Sequence, residues 1–94
     1  MISIGLRVKN IRMGLGLTVD LLSQELGVSR SYLTLIENGE RILPKRLVSK
    51  LAKALRLPKK TVYEWYLEQK LREMGITNKK SYELIKKILK KEEK

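Results

Sequence analysis

The sequence predicts an all-α protein, and two observations support that prediction. Apolar residues recur at helical spacing along most of the 94 residues, and no segment alternates apolar and polar residues as a strand would. The two prolines, Pro44 and Pro58, fall between the helical segments and not inside them. We therefore expect a domain of five helices over residues 1–75 and a Lys-rich helical extension over residues 76–94.

The first two helices are indicated by a capping residue at the start of each. Ser3 can cap a helix over residues 4–14, and Thr18 can cap a helix over residues 19–26. Arg7 lies outside the apolar stripe of the first helix and can face a phosphate. The predicted core-facing residues are Ile4, Val8, Ile11, Leu15, Leu22 and Leu26.

A tight turn and a third helix follow. Gly27 stands where a left-handed backbone would end the second helix, and Val28 is expected to be buried in the corner. Ser29 can cap a third helix over residues 30–38, which Gly39 ends. The inward-facing residues are predicted to be Leu33 and Ile36, and the outward-facing ones Arg30, Ser31 and Thr34, with Leu35 toward one edge.

The remaining helices are separated by proline and glycine. Pro44 suits the first position of a fourth helix, and a fifth helix is expected over residues 59–74. Gly75 stops the fifth helix, and Thr77 or Asn78 can cap a sixth. The predicted core face of the fourth helix is Leu47, Leu51, Ala54 and Leu55.

The charge balance is strongly basic, with 21 Lys and Arg against 10 Asp and Glu and a net charge of +11. Such a surplus indicates a polyanionic partner, nucleic acid first and an anionic membrane surface second. The alternative is a basic surface that only keeps the protein soluble.

The sequence contains neither cysteine nor histidine, so it has no disulfide, no thiolate metal site and no histidine general base. Paired carboxylates, a P-loop and a GxGxxG segment are also absent, and we expect a non-enzyme without metal or cofactor. The N-terminal segment is too polar for a signal peptide, and no apolar run approaches a membrane span. We therefore expect a cytoplasmic, nucleoid-associated protein.

Several short segments stand in order with fixed gaps. They are GLT at 16–18, SYL at 31–33, IENG at 36–39 and LAKAL at 51–55, together with Leu22, Ser23, Leu26, Gly27, Val28, Ser29 and Pro44. Through these residues the chain over 4–66 resembles the helix-turn-helix domain of the lambdoid phage repressors, Cro and the Xre family of bacterial regulators. Each position with a steric requirement is filled acceptably, and the ordered set is far more specific than a lone helix–glycine–helix.

The resemblance implies a compact, five-helix, lambda-repressor-like domain whose third helix enters the major groove of double-stranded DNA. It also implies a two-fold dimer on a palindromic operator. The function that the resemblance implies is that of a transcriptional regulator acting as a repressor. By matching position, the residues that would read base edges are Arg30, Ser31, Thr34 and Leu35. Those that would contact phosphates are Thr18, Val19, Ser29, Tyr32, Asn38, Arg41, Lys45 and Arg46.

Some of these residues also fit a structural role. Tyr32 could place its hydroxyl on a phosphate or pack its ring at the helix edge, and Leu35 could meet a thymine methyl or join a core or interface. The cations Arg41, Lys45 and Arg46 could clamp phosphates or form a solvated charge run.

The resemblance also implies a structural ion pair, and the chain departs from the family pattern twice. Arg12 and Glu37 match positions that form a salt bridge in phage repressors, which would tie the first helix to the end of the third. The family usually has glutamine where this chain has Val19, so one phosphate contact is lost. Arg56 stands in the turn after the fourth helix, where glycine is common.

The C-terminal third has more apolar residues than one small core is expected to hold, namely Trp65, Tyr66, Leu67, Leu71 and Met74. Either a homodimer forms through residues 62–90, or the sixth helix folds back on its own domain. Residues 79–94 could add non-specific DNA affinity or form a solvated amphipathic helix. An alternative function is an antitoxin or adaptor whose helix-turn-helix domain autoregulates while its C-terminal helices bind a partner protein, and another is an architectural DNA-binding factor.

Overall fold

The computed structural model describes residues 3–76, 78–81, 83, 84 and 87. Between Ser3 and Ile76 there are five α-helices, with a 3-10 helix directly before the fourth, and no described residue lies in a strand. The helices are α1 (Ile4–Gly14), α2 (Val19–Leu26), α3 (Arg30–Glu37), the 3-10 helix (Lys45–Leu47), α4 (Val48–Ala54) and α5 (Lys59–Glu73). The all-α prediction is confirmed.

Helical backbone resumes at Lys79 in the described residues that follow α5. The Asn78 carboxamide oxygen accepts hydrogen bonds from the backbone N–H groups of Lys80 and Ser81, at 2.9 and 3.2 Å. Asn78, one of the two residues predicted to cap the sixth helix, therefore caps this segment. The other candidate, Thr77, and most of the predicted extension lie outside the described residues.

Side-chain caps begin the first three helices, as predicted. The hydroxyls of Ser3, Thr18 and Ser29 each accept a hydrogen bond from the backbone N–H three residues later, at 3.2, 3.1 and 3.1 Å. Each cap pairs a donor that has no partner within its own helix. Each of these helices therefore begins where its local sequence provides a capping side chain.

The chain adopts a left-handed backbone conformation after α2 and again after α4. Gly27 ends α2 with φ at +71°, a left-handed conformation that glycine adopts without steric penalty. Arg56 adopts φ at +58° after α4, and the next N–H, of Leu57, bonds the carbonyl of Ala52 at 2.9 Å. Arg56 thus takes the place of the glycine that is common there, at a cost of about 1 kcal/mol.

The structure corrects the predicted start of the fourth helix. Pro44 is not its first residue, because a 3-10 turn over Lys45–Leu47 comes first, with Pro44 in an extended conformation before that turn. The N–H of Leu47 bonds the carbonyl of Pro44 at 3.1 Å, a spacing of three residues, and α4 starts only at Val48. The third and fifth helices each end one residue earlier than predicted, with Asn38 and Met74 as caps.

The core lies between the helices and is built mainly from leucine. The helices from α1 to α5 and the residues between them contribute these fully buried side chains: Val8, Leu22, Leu26, Leu33, Leu43, Leu47, Val48, Leu51, Leu55, Val62, Leu67 and Leu71. Ile4, Ile11, Val28 and Ala54 pack against this core while partly exposed. Leu15 was predicted to face inward, but it caps the end of α1 and is exposed.

Helix α5 buries more of its apolar side chains than the sequence suggested. Trp65, Leu67 and Leu71 are all buried within the chain itself, because α5 packs against both α4 and α1. Tyr66 packs partly against the core, whereas Met74 remains exposed. The expectation that these residues exceed one small core is therefore wrong for Trp65, Leu67 and Leu71.

The backbones of α1 and α3 approach closely at Gly5. A Cβ atom there would overlap the carbonyl oxygen of Ile36 and lie 2.6 Å from that of Glu37. Only a residue without a side chain fits between the two backbones, so Gly5 sets how near α1 comes to the C-terminal end of α3.

A buried ion pair reinforces the same junction, and it is the pair that the resemblance implied. The Arg12 guanidinium donates from Nε and Nη2 to the two carboxylate oxygens of Glu37, at 2.7 and 3.1 Å. Arg12 also donates from Nη1 to the carbonyl of Leu17 at 2.8 Å. The two charged side chains are only 9% and 5% exposed, so their geometry is held firmly.

We expect Gly5→Ala to destabilise the fold by about 2–3 kcal/mol, because the added methyl meets backbone atoms that cannot turn aside. Gly14→Ala is the matched control, since nothing lies within 4 Å of a Cβ at that position of the same helix. The control is expected to be neutral or more stable by up to about 1 kcal/mol. Urea unfolding measures both, and equal effects would contradict the close approach.

We expect Arg12→Met to cost about 3–5 kcal/mol, since it leaves the Glu37 carboxylate buried without its counter-ion. The double variant Arg12→Met/Glu37→Met removes both charges and should cost less than the single change. Urea unfolding of the two variants and of Glu37→Met closes a double-mutant cycle. Additive losses would show that the two side chains do not act as a pair.

Candidate nucleic-acid interface

Helix α3 presents one polar face to solvent and buries the opposite one. Arg30, Ser31 and Thr34 are exposed and Leu35 is half-buried, and these four side chains line one shallow depression on the surface. The buried face consists of Leu33, Ile36 and Glu37. The structure thus brings the four predicted base readers together on one accessible surface, which we call the α3 face.

Helix α2 supports α3 through the turn at Gly27. Ser23 is buried on the inner side of α2, where its hydroxyl donates to the carbonyl of Asp20 at 2.9 Å. This local bond satisfies a buried polar group and leaves a small side chain in the core. The Lys50 ammonium lies 3.7 Å from where a Cβ of Gly27 would be, beside the C-terminal end of α2. Its charge suits the negative end of the α2 dipole.

The predicted phosphate contacts fall into three environments. Thr18 and Ser29 are exposed and use their oxygens as caps, so that the hydroxyl hydrogen of each can still be donated. Val19 packs partly against the core and offers only its backbone N–H, and the Tyr32 ring also packs there. The remaining candidates are exposed residues that follow α3, namely Asn38, Arg41, Lys45 and Arg46.

The segment that carries these cations is fixed to α5 by a side chain whose role the sequence did not reveal. The Gln69 carboxamide accepts from the backbone N–H of Leu43 and donates to its carbonyl, at 2.8 Å each. The available signal was a polar residue on the apolar stripe of the fifth helix. This two-way bond holds the loop between α3 and the 3-10 helix near its C-terminal end.

Arg7 does not lie where the sequence suggested. Its guanidinium donates to the Glu68 carboxylate at 3.1 Å and lies 5.8 Å from the centre of the Trp65 ring. Because α1 packs against α5, the side chain is drawn toward that helix and is not presented for a phosphate. The expectation for Arg7 is therefore wrong.

An ion pair that the sequence did not predict joins the α3 face to α2. Arg30 Nε lies 2.9 Å from Asp20 Oδ1, and the two side chains are 70% and 56% exposed. Asp20 is in the first turn of α2 and Arg30 is the first residue of α3. No pattern in the sequence indicated this pair, since the two residues are ten positions apart on different helices.

In the described part of the chain, no group of three or more acidic side chains gathers in a way that could hold a metal ion. Nor is any helix in these residues both long and apolar enough to cross a lipid bilayer. The α3 face and the exposed cations that follow it form the candidate nucleic-acid interface.

Comparisons with known proteins agree with this geometry. Residues 8–60, more than half of the chain, match the family model described as Helix-turn-helix. A chain in the solved structure of a SinR protein/SinI protein complex has a similar fold, with a TM-score of 0.57 and 23% identity, over 97% of this chain and 98% of that chain. No curated protein matches. The chain belongs to the Xre/Cro-like helix-turn-helix family of DNA-binding transcription regulators, which are generally not enzymes.

Proposed function

We propose that this chain is a sequence-specific repressor that reads double-stranded DNA by placing α3 in the major groove. The observation that carries the proposal is the division of α3 into an exposed face of Arg30, Ser31 and Thr34 and a face sealed in the core. A helix about 10–12 Å across fits a groove about 12 Å wide. Polar side chains that protrude from such a helix reach the base edges.

The chemistry of the α3 face suits base recognition. Arg30 can donate to O6 and N7 of one guanine, a pair that contributes about 1–3 kcal/mol of discrimination against other bases. Ser31 and Thr34 carry hydroxyls that both donate and accept. The methyl of Thr34 or the half-buried Leu35 can contact a thymine methyl.

Phosphate contacts on both sides of α3 would set its register on the duplex. The hydroxyls of Thr18, Ser29 and Tyr32, the backbone N–H of Val19 and the Asn38 carboxamide would donate to phosphate oxygens. Arg41, Lys45 and Arg46 would add charge in the segment that Gln69 holds in place. Such contacts supply affinity without reading sequence, and they make binding depend on salt.

A palindromic operator requires two copies of the chain, and we propose a homodimer through residues 62–90. Fewer apolar residues are left to form a dimer contact than the sequence suggested, because Trp65, Leu67 and Leu71 are buried within one chain. Met74 and Leu84 remain, at 65% and 61% exposed, near the end of α5 and after it. A repressor of this kind would act in the cytoplasm, at the nucleoid.

A second candidate is an adaptor or antitoxin that binds DNA with α3 and a partner protein with its C-terminal helices. The SinR chain of similar fold was solved in a complex with a second protein. In this chain Ile42 is half exposed and lines a groove between the start of α1 and the end of α5. If that groove binds a partner protein, a protein that co-purifies with the wild type should no longer co-purify with the Ile42→Glu variant.

The proposed reading is tested by selecting bound sequences from random DNA and then measuring variants on the selected site. We expect Arg30→Ala to lose preference at one base pair, by about 1–3 kcal/mol, because only that guanine contact is removed. We expect Arg46→Ala to weaken binding to selected and random DNA about equally and to lower the salt slope by about one.

Lys53→Ala is the matched control, since Lys53 is an exposed cation in α4, outside the segment that follows α3. It should change neither the selected sequence nor the salt slope appreciably. Equal affinity of the wild type for selected and random DNA would contradict sequence-specific reading and would instead indicate an architectural factor.

We expect Met74→Glu to raise the dimer dissociation constant at least about tenfold, because association would bury a charge without a partner. Sedimentation equilibrium without DNA measures it. Met13→Glu is the control, as Met13 is a similarly exposed methionine in α1, at 59% against 65%. A wild-type chain that stays monomeric at high micromolar concentration would contradict the proposed dimer.

A further inference from the structure

The ion pair between α2 and α3 lies at the surface that would face DNA. Arg30 Nε and Asp20 Oδ1 are 2.9 Å apart, and both side chains are more than half exposed. An exposed pair of this kind contributes little to the stability of a fold. We therefore expect the pair to affect the position of the Arg30 side chain more than the free energy of unfolding.

The pair restrains a long side chain before any ligand arrives. A free arginine samples many rotamers, and ordering it at an interface lowers affinity. Asp20 Oδ1 lies against Arg30 at Nε. The two terminal nitrogens form the other end of the guanidinium. That end has the spacing for the O6 and N7 acceptors of guanine. A restrained Arg30 can thus approach guanine in one orientation.

We infer that Asp20 is a positioning residue, which holds Arg30 so that α3 selects guanine at one base pair. The inference rests on the proposed function, since it concerns how the α3 face discriminates among bases. Asp20 also brings a negative charge close to the phosphates and so weakens binding to every DNA sequence. Asp20 therefore favours selectivity at the expense of overall affinity.

The effects on selectivity and on overall affinity together distinguish positioning of Arg30 from a role in stabilising α2 alone. An acidic residue in the first turn of α2 also stabilises the positive end of the helix dipole. If that were its whole role, the loss of Asp20 would alter stability and raise affinity for all DNA alike. Only positioning predicts that discrimination falls while affinity for random DNA rises.

The experiment uses the full chain, the selected DNA site and three sites that differ from it at the base pair where Arg30→Ala loses preference. We expect Asp20→Ala to lower discrimination at that pair at least about fivefold, the lower end of what an arginine–guanine contact supplies. Preference at the other base pairs should stay unchanged, and affinity for random DNA should rise. Asp20→Asn, which keeps an oxygen acceptor, should lose less discrimination.

Glu25→Ala is the matched control, because Glu25 is an exposed acid on the same helix and its loss changes the net charge equally. It should raise affinity for random DNA and leave discrimination intact. In an Arg30→Ala background, Asp20→Ala should have no further effect on discrimination. Circular dichroism confirms that each variant is folded.

Two results would be decisive against the inference, and they are distinguishable. If the wild type prefers its selected site and Asp20→Ala keeps that preference in full, Asp20 does not position Arg30, while the proposed function stands. If the wild type prefers no sequence at all, sequence-specific reading fails and the role of Asp20 fails with it.

Discussion

The position of the α3 face depends on the contact between α1 and the C-terminal end of α3. Gly5 allows two backbones to meet where a side chain would not fit, and Arg12 joins Glu37 through two hydrogen bonds in the buried interior. One constraint is steric and the other is electrostatic, and they act about two turns apart on the same helix. Together they fix α3 from the side that DNA would not contact.

The other end of α3 is fixed by local backbone chemistry. The left-handed Gly27 reverses the chain after α2, and Ser29 caps the first turn of α3. With both ends held, α3 would meet DNA as a rigid element, and little conformational entropy would be lost on binding. Mobility in the proposed interface is then confined to the exposed side chains, which makes a restraint such as Asp20 on Arg30 consequential.

Features that follow from local rules could be predicted, and features that depend on tertiary packing could not. The caps, the turn at Gly27 and the division of α3 into two faces each depend on a few neighbouring residues. By contrast, Arg7–Glu68 joins residues 61 apart and Leu43–Gln69 joins residues 26 apart, so neither contact leaves a periodic trace in the sequence. Arg12–Glu37 was anticipated only because it matched a family position. The 3-10 turn after Pro44 was missed because proline is common at the first position of an α-helix, whereas here it lies in an extended conformation before the turn.

The left-handed Arg56 has a consequence for how the protein could change. Its backbone carries a steric penalty that Gly27 does not. The penalty falls in the turn between α4 and α5, which contains none of the residues proposed to contact DNA. Heat resistance could therefore be raised at this turn by selection or by engineering, with no alteration to the surface that recognises bases. Tolerance to temperature and choice of target are, at this position, separately adjustable properties of the chain.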